Sequence, residues 1–326
     1  MVHKDETALN NTVKHAEKQP KRSYGPEGQG LPHPIYVNNK GSVKRKMIWI
    51  LCSITVLVIA VIIFFQIPHS RTRNEFQRDV QRHMELSDVQ AGFFAEQDIS
   101  HLPAPVQSHF RAVGLIGQPI MTSVTATMSS ATLRDSNNST PMVIDYTLYS
   151  FAYSPVRLAY IRTSMFGIPF EGFDSLQDGE GFMRGVIGKI FTLFNQTGQE
   201  MNRAQLLTYL GECFIIPTSI LGEHITWEAI DETSVRATIT YGDISGSGIF
   251  TFDYSGLVQS FYTDERAKID NDGSIDFSGW SALYGDWRKS ENGKYLPNSV
   301  RAVWHESEGD LVYFEANNIR YEFNFE

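Results

Sequence analysis

Residues 311–325 read LVYFEANNIRYEFNF, and their alternation decides the fold class. Tyr321, Phe323 and Phe325 fall on one face of an extended chain, and Arg320, Glu322 and Asn324 on the other. Strand side chains alternate with period two, so this pattern reads as a half-buried antiparallel strand. Runs rich in Val, Ile, Thr and Tyr recur at 123–133, 142–153, 157–165, 226–230, 235–241, 248–252, 257–263, 281–288 and 300–305. Turn chemistry separates the later ones: Asp253-Tyr-Ser-Gly256, Asn292-Gly293 and Glu306-Ser-Glu-Gly-Asp310. Strands this frequent, joined by tight turns, predict a mainly β (α+β) domain built on a large curved antiparallel sheet or half-barrel.

Helical signals are fewer. Residues 199–221 carry Leu206, Leu207, Leu210 and Phe214 as an apolar face, with Asn202 as N-cap and Gln205 three residues on. Pro217 ends that helix or opens a second short turn. Two prolines precede a short helix at 107–113, and Gly114 stops it. In 74–90, Phe76, Val80 and Met84 make a thin stripe on a charged helix, expected as a stalk or lid between membrane and domain.

Upstream lies an uncharged run that begins at Met47 and ends at Ile67, long enough to cross a bilayer as a helix. Lys40, Lys44, Arg45 and Lys46 crowd its N-terminal flank, which places the N-terminus in the cytoplasm and the C-terminal domain outside. A cleaved signal peptide competes with this reading. The long leader, the length of the apolar run and the lack of an A-x-A site oppose it. The chain thus divides into a disordered polar leader (1–46), a transmembrane helix (47–67), a helical stalk (68–100) and a β-rich extracytoplasmic domain (101–326).

The leader holds nine Lys/Arg and four Asp/Glu, whereas the remainder holds 19 basic and 33 acidic residues. So acidic a domain excludes a nucleic-acid partner, because phosphate binding rests on Lys and Arg. The two cysteines, Cys52 in the span and Cys213 in a helix, provide neither a disulfide framework nor a Cys-based zinc site. Asn137, Asn138 and Asn195 begin N-x-S/T sequons, which matter only in a host that glycosylates them. No cofactor and no metal are expected. Asp270-Asn-Asp-Gly273 with Asp276 imitates a calcium loop, but Lys268 and Gly279 occupy positions that need carboxylates, so a hairpin loop is expected.

Glycines at 167–185 lack phosphate-loop spacing and read as sites of strand bending and close backbone approach. Glu200, Arg203 and Glu212, with His224 downstream, form a possible polar site with no catalytic motif around it, so no catalytic residue is assigned. Phe166, Phe170 and Phe182, with Leu207, Leu210 and Phe214 of the helix, are the candidate lining of a cavity for an apolar ligand.

Leu102-Pro-Ala-Pro-Val106, the turn from Asp178 to Gly185, Glu200-Met-x-Arg203 with Leu206-Leu-x-x-Leu210, and Phe214-x-x-Pro217 recur in order. Ala237-Thr-Ile-Thr, Gly248-x-Phe-x-Phe252-Asp and Tyr284-Gly-Asp-Trp287 with Leu296-Pro297 follow. In these residues the chain resembles the bacterial domain-of-unknown-function family 6544 over roughly 100–326, apart from its long leader. That resemblance implies a bacterial or archaeal source, which makes the sequons irrelevant, and carries no assigned reaction. The architecture is also similar to lipoprotein-carrier half-barrels.

Three readings follow. The first is a membrane-anchored module for a lipid or other apolar ligand, marked by an apolar cavity of about 300 Å³ or more. The second is a structural or interaction protein with an envelope-protein partner, marked by a solid core and an exposed apolar patch. The third, least favoured, is a hydrolase in which Glu200, Glu212 and His224 converge.

Overall fold

Alternating burial builds the sheet. In β9 (Ile244–Phe252), Gly246, Gly248, Phe250 and Phe252 are buried while the residues between them are partly exposed, the signature of a strand with one face on a core. The computed structural model describes residues 40–87, 92–270, 273–290 and 293–325. The chain divides into two compact units, Met1–Leu57 and Val58–Glu326. In the first, the described residues are helical, part of α1 (Lys40–Gln66), and from Gly41 onward they are exposed. Among the described residues this is the one stretch of helix long and apolar enough to cross a membrane. The expected disorder of the leader concerns residues that, up to position 39, lie outside the described ones.

The second unit holds α2 (Arg71–Leu86), α3 (Glu96–Ile99), α4 (Ala104–Ala112) and then β1 (Ser123–Leu133), β2 (Met142–Phe151), β3 (Val156–Met165), β4 (Ile168–Gln177), β5 (Glu180–Ile187) and β6 (Phe191–Gln196). After α5 (Gln199–Gly211) come β7 (Ile225–Ala229), β8 (Ser234–Tyr241), β9, β10 (Val258–Thr263), β11 (Lys268–Ile269), β12 (Ile275–Asp276), β13 (Trp280–Lys289), β14 (Tyr295–Glu306), β15 (Gly309–Asn317) and β16 (Arg320–Asn324). Fourteen strands form one open sheet in the order β6-β5-β4-β3-β2-β1-β15-β14-β13-β10-β9-β8-β7, with β16 also paired to β1. β11 and β12 form the hairpin expected in place of a calcium loop.

The sheet curls because α5 demands it. β4 and β5 touch that helix from near one end of the sheet, β8 and β9 from near the other. Nine strand spacings separate β5 from β9, roughly 40 Å in a flat sheet, whereas a helix is only about 10 Å wide. Every residue of α5 from Ala204 to Gly211 is buried.

Several expectations change. The run 311–325 is two strands: Asn318 adopts φ +58° and breaks it into β15 and β16, a left-handed position that Asn tolerates. β1 bulges between Met128 and Ala131. Its first half pairs β16 and its last residues pair β15. Residues 168–196, read only as glycine-bent, form three full strands, β4 to β6. Close approach is nonetheless why glycine stands at 181: a Cβ there would lie 2.8 Å from the backbone oxygen of Met201 in α5. Asn202 is not the N-cap, since α5 starts after Gly198; its side chain instead accepts from the Gly181 N–H at 2.8 Å. α5 ends at Gly211, and Pro217 opens a 3-10 turn, Pro217–Leu221.

α2 is no free-standing stalk. Its Phe76 is buried against Tyr149, Tyr160 and Phe173, on the face of β2–β4 opposite α5. Exposed aromatic rings on those strands would otherwise face water, so the apolar stripe of α2 covers them. Its N-cap Ser70 donates to the buried Glu171 of β4 at 2.7 Å.

Candidate functional site

A cavity of about 140 Å³ lies between α5 and the concave face of the central strands. Met128, Leu148, Ile161, Met183, Ala302 and Phe314 supply apolar wall. Its volume falls short of the ~300 Å³ expected of a small-molecule pocket, because α5 fills much of the curl. The space suits a short alkyl segment rather than a whole lipid.

The polar floor is Arg157, on β3 at the parity that faces α5. A guanidinium has five N–H donors, and all five are used. Nε and Nη2 donate to the two carboxylate oxygens of Glu212 at 2.9 and 3.0 Å. Nη1 donates to Asp174 at 2.7 Å and to the Gln205 amide oxygen at 2.9 Å, and Nη2 to the Tyr146 hydroxyl at 2.8 Å. Burial works against this charge, but Glu212, Tyr146 and Asp174 outweigh it and hold Arg157 protonated. Burial also pushes the Tyr146 hydroxyl well above its ordinary range. With no donor to spare, Arg157 is a strut between sheet and helix.

Arg266 differs. Nε donates to Thr208 at 2.9 Å, and the guanidinium lies over both Trp280 (4.7 Å) and Trp304 (4.9 Å). Two indoles hold it flat, and no carboxylate pairs with it among the described residues. Arg301 is exposed and belongs to the other face, since its neighbours Val300 and Ala302 supply cavity wall and strand side chains alternate. Both carboxylates of the lining, Asp174 and Glu212, are engaged by Arg157, which leaves Arg266 without one. Its terminal N–H groups, unpaired among the described residues, suit an anion.

None of the six apolar side chains expected to line a cavity does so. Phe166 is fully exposed in the β3–β4 turn. Phe170 packs against Phe194, and Phe182 against Phe173 beneath α2, on the opposite face of the sheet. Leu207, Leu210 and Phe214 are in the solid core, with Phe214 between Phe250, Phe252 and Trp227. They face β8 and β9, whereas the cavity opens on the other side of the helix. The polar four also disperse. Glu212 lines the cavity and Glu200 a separate cleft at β6 and β11. His224 stacks edge-on against Tyr241 at 5.3 Å and lines neither. Arg203 stays beside Glu200 in the first turn of α5, its Nε buried without a partner among the described residues. Cys213 is a buried thiol whose pKa burial pushes up.

Residues 92–316 match a family of unknown function along most of the folded unit. The chain belongs to DUF6544. This DUF6544 chain is also similar to two solved structures. One is a domain described as an outer membrane lipoprotein-sorting protein from Vibrio parahaemolyticus, at 10% identity and TM-score 0.35, covering 62% of this chain and 85% of that one. The other is a DUF1329 family protein from Desulfovibrio piger, at 10% identity and TM-score 0.36, covering 69% and 98%. No curated protein matches the sequence.

Proposed function

We propose that this DUF6544 chain is a membrane-anchored, extracytoplasmic binding module for an amphiphile with an anionic head. An alkyl segment enters the cavity against Met128, Ile161, Met183 and Phe314, and the carboxylate or phosphate head meets Arg266. α1 keeps the module beside the bilayer that supplies such molecules. The observation that carries this reading is Arg266: a guanidinium lying over two indoles, at an apolar cavity, with both terminal nitrogens free of carboxylate among the described residues. The three residues of the hydrolase reading do not share a cleft.

The test uses the full chain in nanodiscs and two photoactivatable probes, dodecanoate and dodecyltrimethylammonium, each with a diazirine at the tail end. Dodecanoate should label peptides containing Met128, Met183 or Phe314, and the ammonium probe should not. Arg266→Gln should cut the labelling about tenfold or more, the worth of a charge-assisted hydrogen bond of about 1.5–3 kcal/mol. Equal labelling by both head groups, or none in the lining, would sink the proposal.

A further inference from the structure

The β3–β4 turn is Phe166-Gly167, with φ of +53° and +78°. A two-residue hairpin turn with both φ positive favours Asn-Gly. A Phe there works against local preference, and this one gains no burial in return, being 101% exposed. The neighbouring β5–β6 turn, Gly188-Lys189, also has two positive φ values, +60° and +68°. Ile190 and Phe191 beyond it are 65% and 66% exposed, with Leu193 and Ile168 also on the surface. The two tips adjoin: Gly188 N–H donates to the Pro169 carbonyl at 2.7 Å. From Thr163 to Phe170 there is no charged residue, and from Val186 to Gln199 the one charge is Lys189.

That charge is turned away from water. Lys189 is buried, and its Nζ donates to the carbonyl of Phe64 at 2.8 Å and to that of Ile67. Those carbonyls lie in the last turn of α1 and just past its end, where helix carbonyls lack helical partners; Ile67 also accepts from the His69 N–H at 2.8 Å. A Cβ at Gly188 would lie 3.7 Å from Ile168 and 3.8 Å from the Phe65 ring. The last turns of α1 in this unit are themselves apolar and exposed at Val61, Ile62, Ile63, Phe64 and Ile67. The tips and this helix end therefore form one continuous apolar surface, fixed in height by Lys189 and by Ser70 on Glu171.

We infer that the β3–β4 and β5–β6 tips seat in the lipid surface beside the end of α1, with Phe166, Ile190 and Phe191 as the inserted side chains. The occupant is a bilayer, not a protein, because the patch continues the exposed apolar surface of a helix with the length and composition of a membrane span. An uncharged apolar face of this kind seats at the boundary between headgroups and acyl chains. The inference is independent of the cavity reading.

The experiment uses the full chain with Cys52→Ser, the buried Cys213 left in place. Phe166→Cys, Phe191→Cys and, as a control, Tyr254→Cys in the fully exposed β9–β10 turn are each labelled with NBD. The proteins are reconstituted in nanodiscs of phosphatidylethanolamine and phosphatidylglycerol with or without a nitroxide near the top of the acyl chain. Probes at 166 and 191 should emit to the blue of the control, be quenched several-fold more by lipid nitroxide, and be several-fold less accessible to iodide. Iodide access equal to the control overturns the inference. So does shielding from both quenchers, which would mean that a second copy or another protein covers the tips.

Discussion

His109 of α4 is enclosed by rings, edge-on to Phe214 at 4.8 Å and to Trp287 at 5.5 Å, with Nδ1 3.0 Å from the Gly256 carbonyl oxygen and 3.2 Å from the Val258 nitrogen. Burial lowers its pKa from 6.5 to about 4. Between those values the unfolded chain binds the proton and the folded one does not, so stability rises with pH across the window. The contribution is complete above pH 6.5 and is lost toward pH 4, about 3 kcal/mol in all. Denaturant midpoints from pH 7 to 4 should flatten in His109→Phe relative to the parent. At neutral pH that variant loses stability, because the Nδ1 hydrogen bond to the 256–258 backbone is lost. Parallel profiles would show that His109 does not carry the slope. At this scale the sequence was least legible. Arg157 sits in a strand apolar on both faces, so period-two parity could not say which way it pointed. Its partners Glu212 and Asp174 are 55 and 17 positions away. A lone Arg within Val156-Arg-Leu-Ala159 was the one available signal, and Arg266 lay in a stretch with no pattern at all.

Among elements, β5 approaches α5 closely enough that position 181 has no room for a side chain. Since the Cβ of a residue at 181 would collide with the Met201 backbone oxygen as well as with the Gln205 side chain, Gly181→Ala must push the strand and helix apart. A loss of about 1–3 kcal/mol is expected, read as a lower urea midpoint with unchanged slope. A midpoint equal to the parent would mean that the contact is looser than drawn. Glycine density misled at this level. It lowers local strand propensity and hides β4 and β5, although their glycines serve packing by Phe194 and α5 within a regular ladder. Strands without that burden, such as β2, were legible from Val, Ile, Thr and Tyr.

For the whole molecule, α5 is the shared core of a sheet whose two ends would otherwise be far apart. Opening either end exposes the same helix, so both should open together. Native-state hydrogen exchange should give one common opening free energy for β4 and β9 amides, and Leu207→Ala should lower both alike. Separate values for the two ends would divide the sheet into independent halves. By itself the sequence determined the apolar helix, the antiparallel strand class, most strand positions and the family, because each rests on local periodicity, turn residues or motifs a few positions long. Only the tertiary structure decided the curl around α5, the cavity beneath it, the pairing of Arg157, the freedom of Arg266 and the meeting of two hairpin tips with the end of α1. These depend on contacts between residues tens to more than a hundred positions apart, where side-chain direction is set by packing and leaves no local mark.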